Sequence, residues 1–326
     1  MKTVVLALFA IFFANVLFGQ IKKKYDETET FSEGCAVVKL NGKYGLINRQ
    51  RKEIVPCKYD ELWTFCNGRS IVKLNNKYGY IDGSGEEVIP LKYEYAGYFT
   101  NNRALIKLNG KYGFIDKNGK EVVPIKYDDA SQTFSSFNEG YSWVKLNGKY
   151  GFIDESGKEV IPFKYDGAGD FNNDRAWIKM NDKYGFIDKT GNRITPLKYD
   201  STGDFQDERA IVKLNNQYGF IDKTGNEIIT IKYDQVNQFS SMSSTIVALK
   251  GKYVLIDKNG NILSKEYDFA DEGFSCSCIR VKLDNRWGFI NDKGKEIIPL
   301  KYDKADMFRN CCALVTLDGK EFYINR

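Results

Sequence analysis

The sequence predicts an all-β protein made of tandem repeats, and three observations support that fold class. Tyr and Phe, which favour strands, occur 21 and 22 times in the 326 residues. A motif of about 34 residues recurs along the chain. Each copy contains short apolar segments separated by turn sequences such as Asn-Gly or Asp-x-x-Gly. These features indicate short antiparallel strands joined by tight turns.

The repeat length is visible in the tyrosine that ends each copy. Successive tyrosines are 34 residues apart in most cases, with a step of 38 where residues 135–138 look like an insertion. Residues 20–326 are therefore predicted to form a single array of about nine repeats. Each of these tyrosines marks the boundary near which the next repeat starts, and they are Tyr25, Tyr59, Tyr93, Tyr127, Tyr165, Tyr199, Tyr233, Tyr267 and Tyr302.

One copy, residues 103–128, predicts a three-stranded β-meander. Its first two strands, 104–108 and 112–115, flank Asn109-Gly110, which favours a two-residue type I′ turn because both residues tolerate positive φ. A second turn ends at a glycine suited to the left-handed conformation, and a third strand follows over 121–127. Pro124 cannot donate to a ladder, so this strand is predicted to be broken there or to lie at the edge of its sheet.

Aromatic residues are predicted to bury the apolar face of each meander against the next copy. A three-stranded meander is marginal by itself, so stacked copies would share a continuous core. In the Tyr-Gly pair of each copy, the ring is expected to pack on the next repeat and the glycine to permit close approach. The linker phenylalanines expected to be buried anchors are Phe31, Phe65, Phe99, Phe134, Phe171, Phe205 and Phe239.

Residues 1–19 are predicted to be a signal peptide. Lys2 precedes an apolar run over 4–18 that is broken only by Asn15, and cleavage is expected before Gln20. The run is about 15 residues long, whereas a membrane-spanning helix needs roughly 20. An uncleaved anchor is the alternative. The mature chain is therefore expected to lack a stable membrane span and to be exported to the periplasm, the cell surface or the medium.

The amino-acid composition excludes several classes of function. The chain has no histidine, which excludes Ser-His-Asp and Cys-His catalysis, histidine-ligated zinc and a histidine pH switch. The net charge is +5, and its lysines alternate with Asp and Glu instead of clustering, so no nucleic-acid partner is expected. No catalytic insert breaks the array. The sequence predicts a protein without enzymatic activity and without a cofactor.

Recurring carboxylates allow two interpretations. An aspartate follows Ile in most copies and either forms a row of exposed carboxylates or caps its own turn through backbone amides, and turn chemistry is the favoured interpretation. The linkers 169–174 and 203–208 are acidic, but each precedes an arginine that opposes calcium binding, so solvated loops are expected. The aspartates are Asp82, Asp116, Asp154, Asp188, Asp222 and Asp257.

Seven cysteines leave at least one thiol unpaired within the chain. Cys276 and Cys278 follow the tyrosine of one repeat at nearly the same distance as Cys311 and Cys312 follow that of the next. Since equivalent positions of stacked repeats lie close together, a cross-repeat disulfide between these pairs is predicted, with buried free thiols as the alternative. A Cys35–Cys66 pair is a second candidate. The spacings are not typical of zinc ligands or of a redox enzyme.

Tryptophans offer a candidate ligand face. Trp143 and Trp177 occupy similar strand positions in successive copies and could line one surface, whereas most Tyr and Phe of the repeat are expected to lie in the core. Stacking of sugars on such rings is one use of an exposed aromatic surface.

The repeated residues Lys-Tyr-Gly-Phe-Ile-Asp-Lys-x-Gly-Lys-Glu-Val-Ile-Pro-x-Lys-Tyr-Asp resemble the bacterial WG-repeat family, also called KWG repeats. The resemblance covers nearly all of 25–326. The Trp-Gly pair of the family occurs once, at Trp287-Gly288, and Tyr takes the Trp position in most other copies. The resemblance implies a β-repeat array with an interaction role. It carries over neither catalytic residues nor a ligand.

Two functions follow as hypotheses. The first is a protein-interaction scaffold at the cell envelope, because stacked repeats present an extended surface on which Lys, Asp and Glu alternate. The second is a glycan- or peptidoglycan-binding module that uses the aromatic residues. Neither hypothesis fixes an oligomeric state.

The stacked copies either form an open solenoid or superhelix or close into a β-propeller of about eight blades. The open array is favoured, because propeller blades use four strands in about 40–50 residues. We expect small-angle scattering of the mature chain to give a radius of gyration clearly above about 19 Å, the value for a compact domain of this length. A measured value of about 19 Å would contradict the open array.

Overall fold

The structure, a computed structural model, describes residues 25–132, 137–239 and 243–326. These residues form strands and turns and contain no helix, so none of them belongs to a helix able to cross a membrane. The predicted all-β fold of tandem repeats is confirmed. The predicted signal peptide and the predicted anchor Phe134 lie outside the described residues. The chain divides into two compact units, Met1–Phe163 and Lys164–Arg326.

Four antiparallel sheets follow one another over residues 27–165, each with four strands in the described part of the chain. Their strands are β1 Glu27–Thr28, β2 Cys35–Leu40, β3 Lys43–Asn48 and β4 Glu53–Tyr59; β5 Glu61–Leu62, β6 Ser70–Leu74, β7 Lys77–Ile81 and β8 Glu87–Tyr93; β9 Tyr95–Ala96, β10 Arg103–Leu108, β11 Lys111–Asp116 and β12 Glu121–Tyr127; and β13 Asp129–Ala130, β14 Tyr141–Leu146, β15 Lys149–Asp154 and β16 Glu159–Tyr165.

Five further antiparallel sheets follow over residues 167–325, with three or four described strands each. Their strands are β17 Gly167–Ala168, β18 Arg175–Met180 and β19 Lys183–Asp188; β20 Ser201–Thr202, β21 Arg209–Leu214, β22 Gln217–Asp222 and β23 Glu227–Tyr233; β24 Gln235–Val236, β25 Ser244–Leu249 and β26 Lys252–Asp257; β27 Phe269–Ala270, β28 Cys278–Leu283, β29 Arg286–Asn291 and β30 Glu296–Tyr302; and β31 Lys304–Ala305, β32 Cys312–Leu317 and β33 Lys320–Asn325.

Each predicted meander carries an additional short strand from its linker. In the third sheet, Tyr95 and Ala96 pair with Lys107 and Ile106 at the free edge of β10, so the order is β12-β11-β10-β9. The linker then folds into a tight hairpin of its own, because Asn101 and its neighbour both have positive φ between two bridged residues. The linker is therefore ordered by backbone pairing, which its composition did not indicate.

Successive side chains of a strand point to opposite faces of the sheet, and apolar residues bury both faces. In β10, Ala104 and Ile106 pack with residues of the preceding sheet such as Tyr80. Leu105, between them, packs with residues of the following sheet such as Val144. Because side chains of a strand alternate between faces, a short strand with consecutive apolar residues contributes to two cores at once. This is the stacking that the repeat pattern predicted, seen within the first compact unit.

The linker phenylalanines close these cores, with two differences from the prediction. Phe99 is buried and its ring lies 4.9 Å from that of Tyr80 in the preceding sheet. The prediction for Phe31 is wrong, because this residue is 43% exposed and no described sheet precedes β1 to supply its partner. After the insertion the anchor is Phe137, which is buried 4.7 Å from the ring of Phe114. The predicted anchors that are buried are Phe65, Phe99, Phe171, Phe205 and Phe239.

The proline of the motif sits at an irregular edge, as predicted. Strand β12 is the edge of its sheet and runs unbroken through Pro124, but its register against β11 shifts between Tyr112 and Phe114. A proline is tolerated there because its missing amide breaks no ladder bond. The displaced amide of Ile125 instead donates to the Glu121 carboxylate at 3.3 Å. The Glu-x-x-Pro sequence thus satisfies the backbone of its own bulge.

Two repeats lose regular pairing at this strand because a hydroxyl replaces an apolar residue. The amide of Phe186 donates to Thr195 Oγ1 at 3.0 Å, and the amide of Leu255 donates to Ser264 Oγ at 2.9 Å. Hydroxyl side chains compete with the ladder for backbone groups in this way. Only isolated bridges, such as Tyr184 with the repeat-ending tyrosine, remain in these described segments.

The glycine of each Tyr-Gly pair allows the bulged strand to approach. A Cβ at Gly79 would lie 2.6 Å from the Ile89 carbonyl oxygen and 2.9 Å from the amide nitrogen of Leu91. Both atoms belong to backbone, which cannot move aside without breaking the sheet. The close-approach role predicted for these glycines is therefore confirmed at Gly79, and the neighbouring Tyr78 is half-buried against the shared core.

We expect Gly79→Ala to lower the free energy of unfolding by about 1–3 kcal/mol, the usual cost of overpacking. Gly83→Ala is the matched control, because its Cβ meets nothing within 4 Å and its φ is not in the left-handed region. The control should stay within about 0.5 kcal/mol of the wild type. Urea unfolding followed by circular dichroism measures both variants. Equal effects of the two substitutions would contradict the close-approach role.

Candidate interaction surface

A lysine lies over an aromatic ring at the same place in most repeats. In the third sheet, Lys107 of β10 and Tyr112 of β11 are directly opposite each other, and Lys107 Nζ lies 4.9 Å from the ring centroid. Both side chains are half-buried. A cation over the face of a ring is attracted by the ring quadrupole. The equivalent pairs are Lys39–Tyr44, Lys73–Tyr78, Lys145–Tyr150, Lys179–Tyr184, Lys213–Tyr218 and Lys282–Trp287. We call these the Lys–aromatic pairs.

Some of these ammonium groups are bound within the protein and others are not. Lys73 forms an ion pair with Glu61 at 2.7 Å, and its hydrogen bond to that carboxylate raises the pKa of Lys73. Lys107, Lys145 and Lys213 take part in no ion pair within the described residues. These three lysines are available to a carboxylate of a binding partner.

A different lysine of the motif is structural. Lys111, at the start of β11, forms an ion pair with Asp128, and the amide of Gly148 in the next hairpin donates to the other oxygen of that carboxylate at 3.1 Å. The hydrogen bond from Lys111 lowers the pKa of Asp128. Asp128 thus links two successive hairpins. Equivalent pairs are Lys43–Asp60, Lys183–Asp200, Lys252–Asp268 and Arg286–Asp303.

The recurring aspartate after Ile caps its own turn. Asp82 Oδ1 accepts hydrogen bonds from Ser84 Oγ at 2.6 Å and from the amides of Ser84 and Glu86 at 2.9 and 3.1 Å. These bonds lower the pKa of Asp82, with the Ser84 hydroxyl as the largest cause. A carboxylate engaged in this way is not free to act as a base or nucleophile. The turn interpretation is correct for this row.

The acidic linkers are also part of tight turns. Asp174 and Glu208 occupy positive-φ positions of linker hairpins and form ion pairs with Lys189 at 2.7 Å and Lys223 at 3.3 Å. Their charges are thus compensated by lysines of the chain. No group of three or more potential metal ligands comes together among the described residues.

The two tryptophans occupy equivalent positions, one in each compact unit. Trp143 of β14 is half-buried, and its ring lies 5.5 Å from that of Tyr150. Tyr150 is the aromatic member of the Lys145–Tyr150 pair. Trp177 of β18 lies 5.6 Å from Tyr184 and covers Gly169, where a Cβ would be 2.0 Å from the indole Nε1. Each tryptophan extends the aromatic surface of its own sheet. That they line one common face stays a prediction.

In the repeat that contains Trp287, an arginine occupies the position that these tryptophans hold in their sheets. Arg280 pairs with Asp271 at 2.9 Å, donates to the carbonyl of Ala305 at 2.6 Å, and lies 4.8 Å from the Trp287 ring centroid. Each of its three guanidinium nitrogens donates a hydrogen bond, so Arg280 binds two successive linkers to the sheet. Sequence reasoning missed this residue because its partners come from linkers without a recognisable motif.

Arg280 lines a cavity of about 580 Å³, and a second cavity of about 500 Å³ is lined by its partner Asp271. They share Met307, which is 44% exposed. The first is also lined by Asp306 and Arg309, and the second by Phe274 and Glu272. We call the two cavities the C-terminal cleft.

The structure brings together one of the predicted cysteine combinations. Cys276 and Cys311 have their sulfur atoms 3.2 Å apart. Cys278 is buried and donates to the carbonyl of Ser275, and Cys312 donates to Asn325 Oδ1. The second candidate pair is not assembled, because Cys35 donates to Gly83 O and Cys66 accepts from Asn67. Cys276 and Cys311 are therefore the cross-repeat pair whose sulfur atoms meet within the described residues.

The family model described as a WG containing repeat matches the chain in nine consecutive segments between residues 21 and 320. Most segments run from one Tyr-Gly aromatic residue to the next. A search of curated proteins found no match to this chain. The matched segments are 21–44, 44–78, 78–112, 112–150, 150–184, 184–218, 218–253, 255–287 and 287–320.

Solved structures resemble the chain only remotely. A eukaryotic initiation factor is 9% identical with a TM-score of 0.42, and the alignment covers 88% of this chain and 90% of that one. Hsv2 from Kluyveromyces marxianus is 7% identical with a TM-score of 0.36, over 84% and 99% of the two chains. The extracellular domain of the one-component system BT4673 from B. thetaiotaomicron is 8% identical with a TM-score of 0.28, over 92% and 52%. These scores carry no functional argument.

Acid should weaken the lysine–aspartate links between hairpins. Because the pKa of Asp128 is lowered in the folded protein, its ion pair stabilises the fold above the unfolded carboxyl pKa of about 4 and is lost as the pH falls through the lower folded value. We expect Asp128→Asn to reduce the melting temperature at neutral pH and to show a smaller further decrease in acid than the wild type. Melting curves between about pH 5 and 2.5 measure this.

Asp129→Asn serves as the control, because the Asp129 carboxylate contacts the adjacent Ala130 amide and no lysine within the described residues. Its melting temperature should follow that of the wild type across the same pH range. An identical acid response of the Asp128 variant and the wild type would argue against the link.

Proposed function

Because this chain belongs to the WG-repeat family, we propose that it is a non-enzymatic exported protein that acts as a protein-interaction scaffold at the cell envelope. The Lys–aromatic pairs are the observation that carries the proposal. They recur in most repeats on half-exposed strands, and the fold does not need the ammonium groups of Lys107, Lys145 and Lys213 for any internal ion pair in the described chain.

The chemistry of these pairs favours acidic protein segments. A carboxylate that approaches Lys107 also meets the Tyr112 ring, so charge and apolar contact are available at one place. Single contacts of this kind are weak at an exposed surface. Repetition raises the total affinity, since a segment held at one repeat meets the next pair at high local concentration.

A non-enzymatic role is supported by the use of the carboxylates. Asp82 and its equivalents hold turns, and Asp128 and its equivalents hold lysines, so these residues already have structural partners. Export is supported by the sequence of residues 1–19, with a positive charge before an apolar run. The cell envelope is the compartment in which a secreted scaffold of this kind meets its partners.

A glycan-binding role is the second candidate, and the Trp143–Tyr150 contact favours it. Two half-buried rings 5.5 Å apart on one sheet form a surface on which a sugar ring can lie. The glycan role predicts that Trp143 contributes most of the affinity, whereas the protein-scaffold role assigns it to the lysines.

Co-sedimentation with isolated cell-wall sacculi separates these roles. We expect the purified mature protein to stay in the supernatant, with or without competing oligosaccharide, and to crosslink to envelope proteins in cells. The double variant Lys107→Glu and Lys145→Glu should reduce that crosslinking by about tenfold, since it reverses two attractive charges.

The matched control is Lys120→Glu with Lys158→Glu, which makes the same charge change at exposed turn lysines of the same two sheets. It should crosslink as the wild type does. Pelleting with sacculi that oligosaccharide abolishes and that Trp143→Ala removes would replace the protein-scaffold role with the glycan role.

A further inference from the structure

The last two repeats place two cysteines against each other on adjacent tight turns. Cys311 Sγ lies 3.2 Å from Cys276 Sγ, and the backbone amide of Cys311 also donates to Cys276 Sγ at 3.2 Å. The residues are 35 positions apart in the sequence and belong to successive linker hairpins of the second compact unit. Cys311 is exposed and Cys276 is partly exposed, so both can be reached from solvent.

These turns do not select cysteine for conformational reasons. Cys276 has φ of 48° and Cys311 has φ of 60°, in the left-handed region where most residues are strained by about 1–2 kcal/mol. Elsewhere the same turns mostly carry residues that tolerate this region, such as Asn101 and Gly68, and in some copies a glutamate such as Glu208. The turn therefore does not require cysteine at either position, and the feature that distinguishes Cys276 and Cys311 is the contact between their sulfur atoms.

The neighbouring cysteines are directed elsewhere. The Cys278 thiol is 2% exposed and donates to the Ser275 carbonyl at 3.1 Å, and burial raises its pKa to about 11. Cys312 donates to Asn325 Oδ1 at 3.1 Å, across its own hairpin. The four sulfurs do not converge on a point, consistent with the absence of a three-ligand metal cluster in the described part of the chain.

We propose that Cys276 and Cys311 form a disulfide that links the last two repeats covalently, with Cys278 and Cys312 remaining thiols. The bond forms by exchange with a small-molecule or protein disulfide. The Cys311 thiolate attacks one sulfur of that disulfide, and a mixed disulfide and one thiol result. Cys276, as thiolate, then attacks the Cys311 sulfur and releases the second thiol. The two protons and two electrons lost by the pair reside in the two thiols released.

The link fastens the sheet β31–β33 to the sheet before it. That sheet packs on its neighbour through residues such as Phe308, while Phe322 and Tyr323 on β33 are 41% and 74% exposed. It is therefore held by fewer buried contacts than sheets with two covered faces. A covalent bond between the linker hairpins restricts its separation from the array and keeps the wall of the C-terminal cleft in place.

Trypsin cleavage and mass spectrometry of the purified full chain locate the bond. Cleavage after Lys265, Arg280, Arg309 and Lys320 places the four cysteines on peptides 266–280 and 310–320. After incubation with oxidised glutathione, we expect the two peptides to be joined and the titratable thiols to fall by two from seven. Dithiothreitol should separate the peptides.

Variants distinguish the pairing, because each peptide contains one proposed and one neighbouring cysteine. The joined peptides should persist in Cys278→Ser and Cys312→Ser and disappear in Cys276→Ser and Cys311→Ser. Joined peptides that require Cys278 or Cys312, a mixed glutathione adduct that does not resolve, or no oxidation at all would overturn the proposal.

A stability measurement separates the bond from a packing role of the sulfurs. The oxidised wild type should melt several degrees above its reduced form, and this difference should vanish in Cys276→Asn, which restores the turn residue of other repeats. If the reduced wild type and reduced variant differ as much as the oxidised pair does, the sulfurs act through packing alone and the proposal fails.

Discussion

Repeats with a neighbour on each side depend on burying both faces of a thin sheet, and most features of the motif follow from that constraint. Strand β10 directs Ala104 and Ile106 to one core and Leu105 to the next. A sheet of about 30 residues that exposed either face would lose roughly 1.5–3 kcal/mol for each large apolar side chain left in water. Stability is therefore shared between neighbours, as in other repeat proteins. Most repeats have the same length, and the four-residue insertion at 135–138 falls in the linker between β13 and β14.

The polar residues of the motif solve the backbone problems that this packing creates. The bulge that brings the edge strand over Gly113 leaves an amide without a ladder partner, and Glu121 accepts it. Asp82 satisfies the amides of its turn, and Asp128 joins a lysine to the next hairpin. Once these roles are assigned, the ammonium groups of Lys107, Lys145 and Lys213 are among the charges that no ion pair of the described fold uses.

The sequence was informative wherever the repeat constrained the backbone. Asn109-Gly110 predicted its turn because only such residues adopt positive φ at both positions, and Pro124 predicted an edge because it lacks an amide. The strand β9 could not be predicted from the sequence, because its two residues are too few to show the apolar–polar alternation of a strand. The linker hairpins were missed for a related reason: their turn residues differ between copies, from Asn101 to Cys276, although their φ values agree.

The remaining differences between the prediction and the structure depend on contacts with residues that are distant in the sequence. Phe31 has the spacing of a buried anchor but is exposed, because an anchor such as Phe137 packs on a residue of the preceding sheet, here Phe114, and no described sheet precedes β1. Spacing alone also left four cysteines as equal candidates, and only the turn geometry selected Cys276 with Cys311.

At one strand position of the repeat the side chain differs in size and charge between copies, while the backbone around it keeps the same pairing. The position of buried Leu105 is occupied by Trp143 and Trp177 in two other sheets and by Arg280 in a third, with the same strand register in each. Arg280 is tolerated because Asp271, the Ala305 carbonyl and the Trp287 ring satisfy it. The neighbouring linkers can therefore accommodate a large or charged side chain without a change in the sheet. A variable position of this kind lets individual repeats differ in shape and charge, while the neighbouring Lys–aromatic pairs are the same in most repeats.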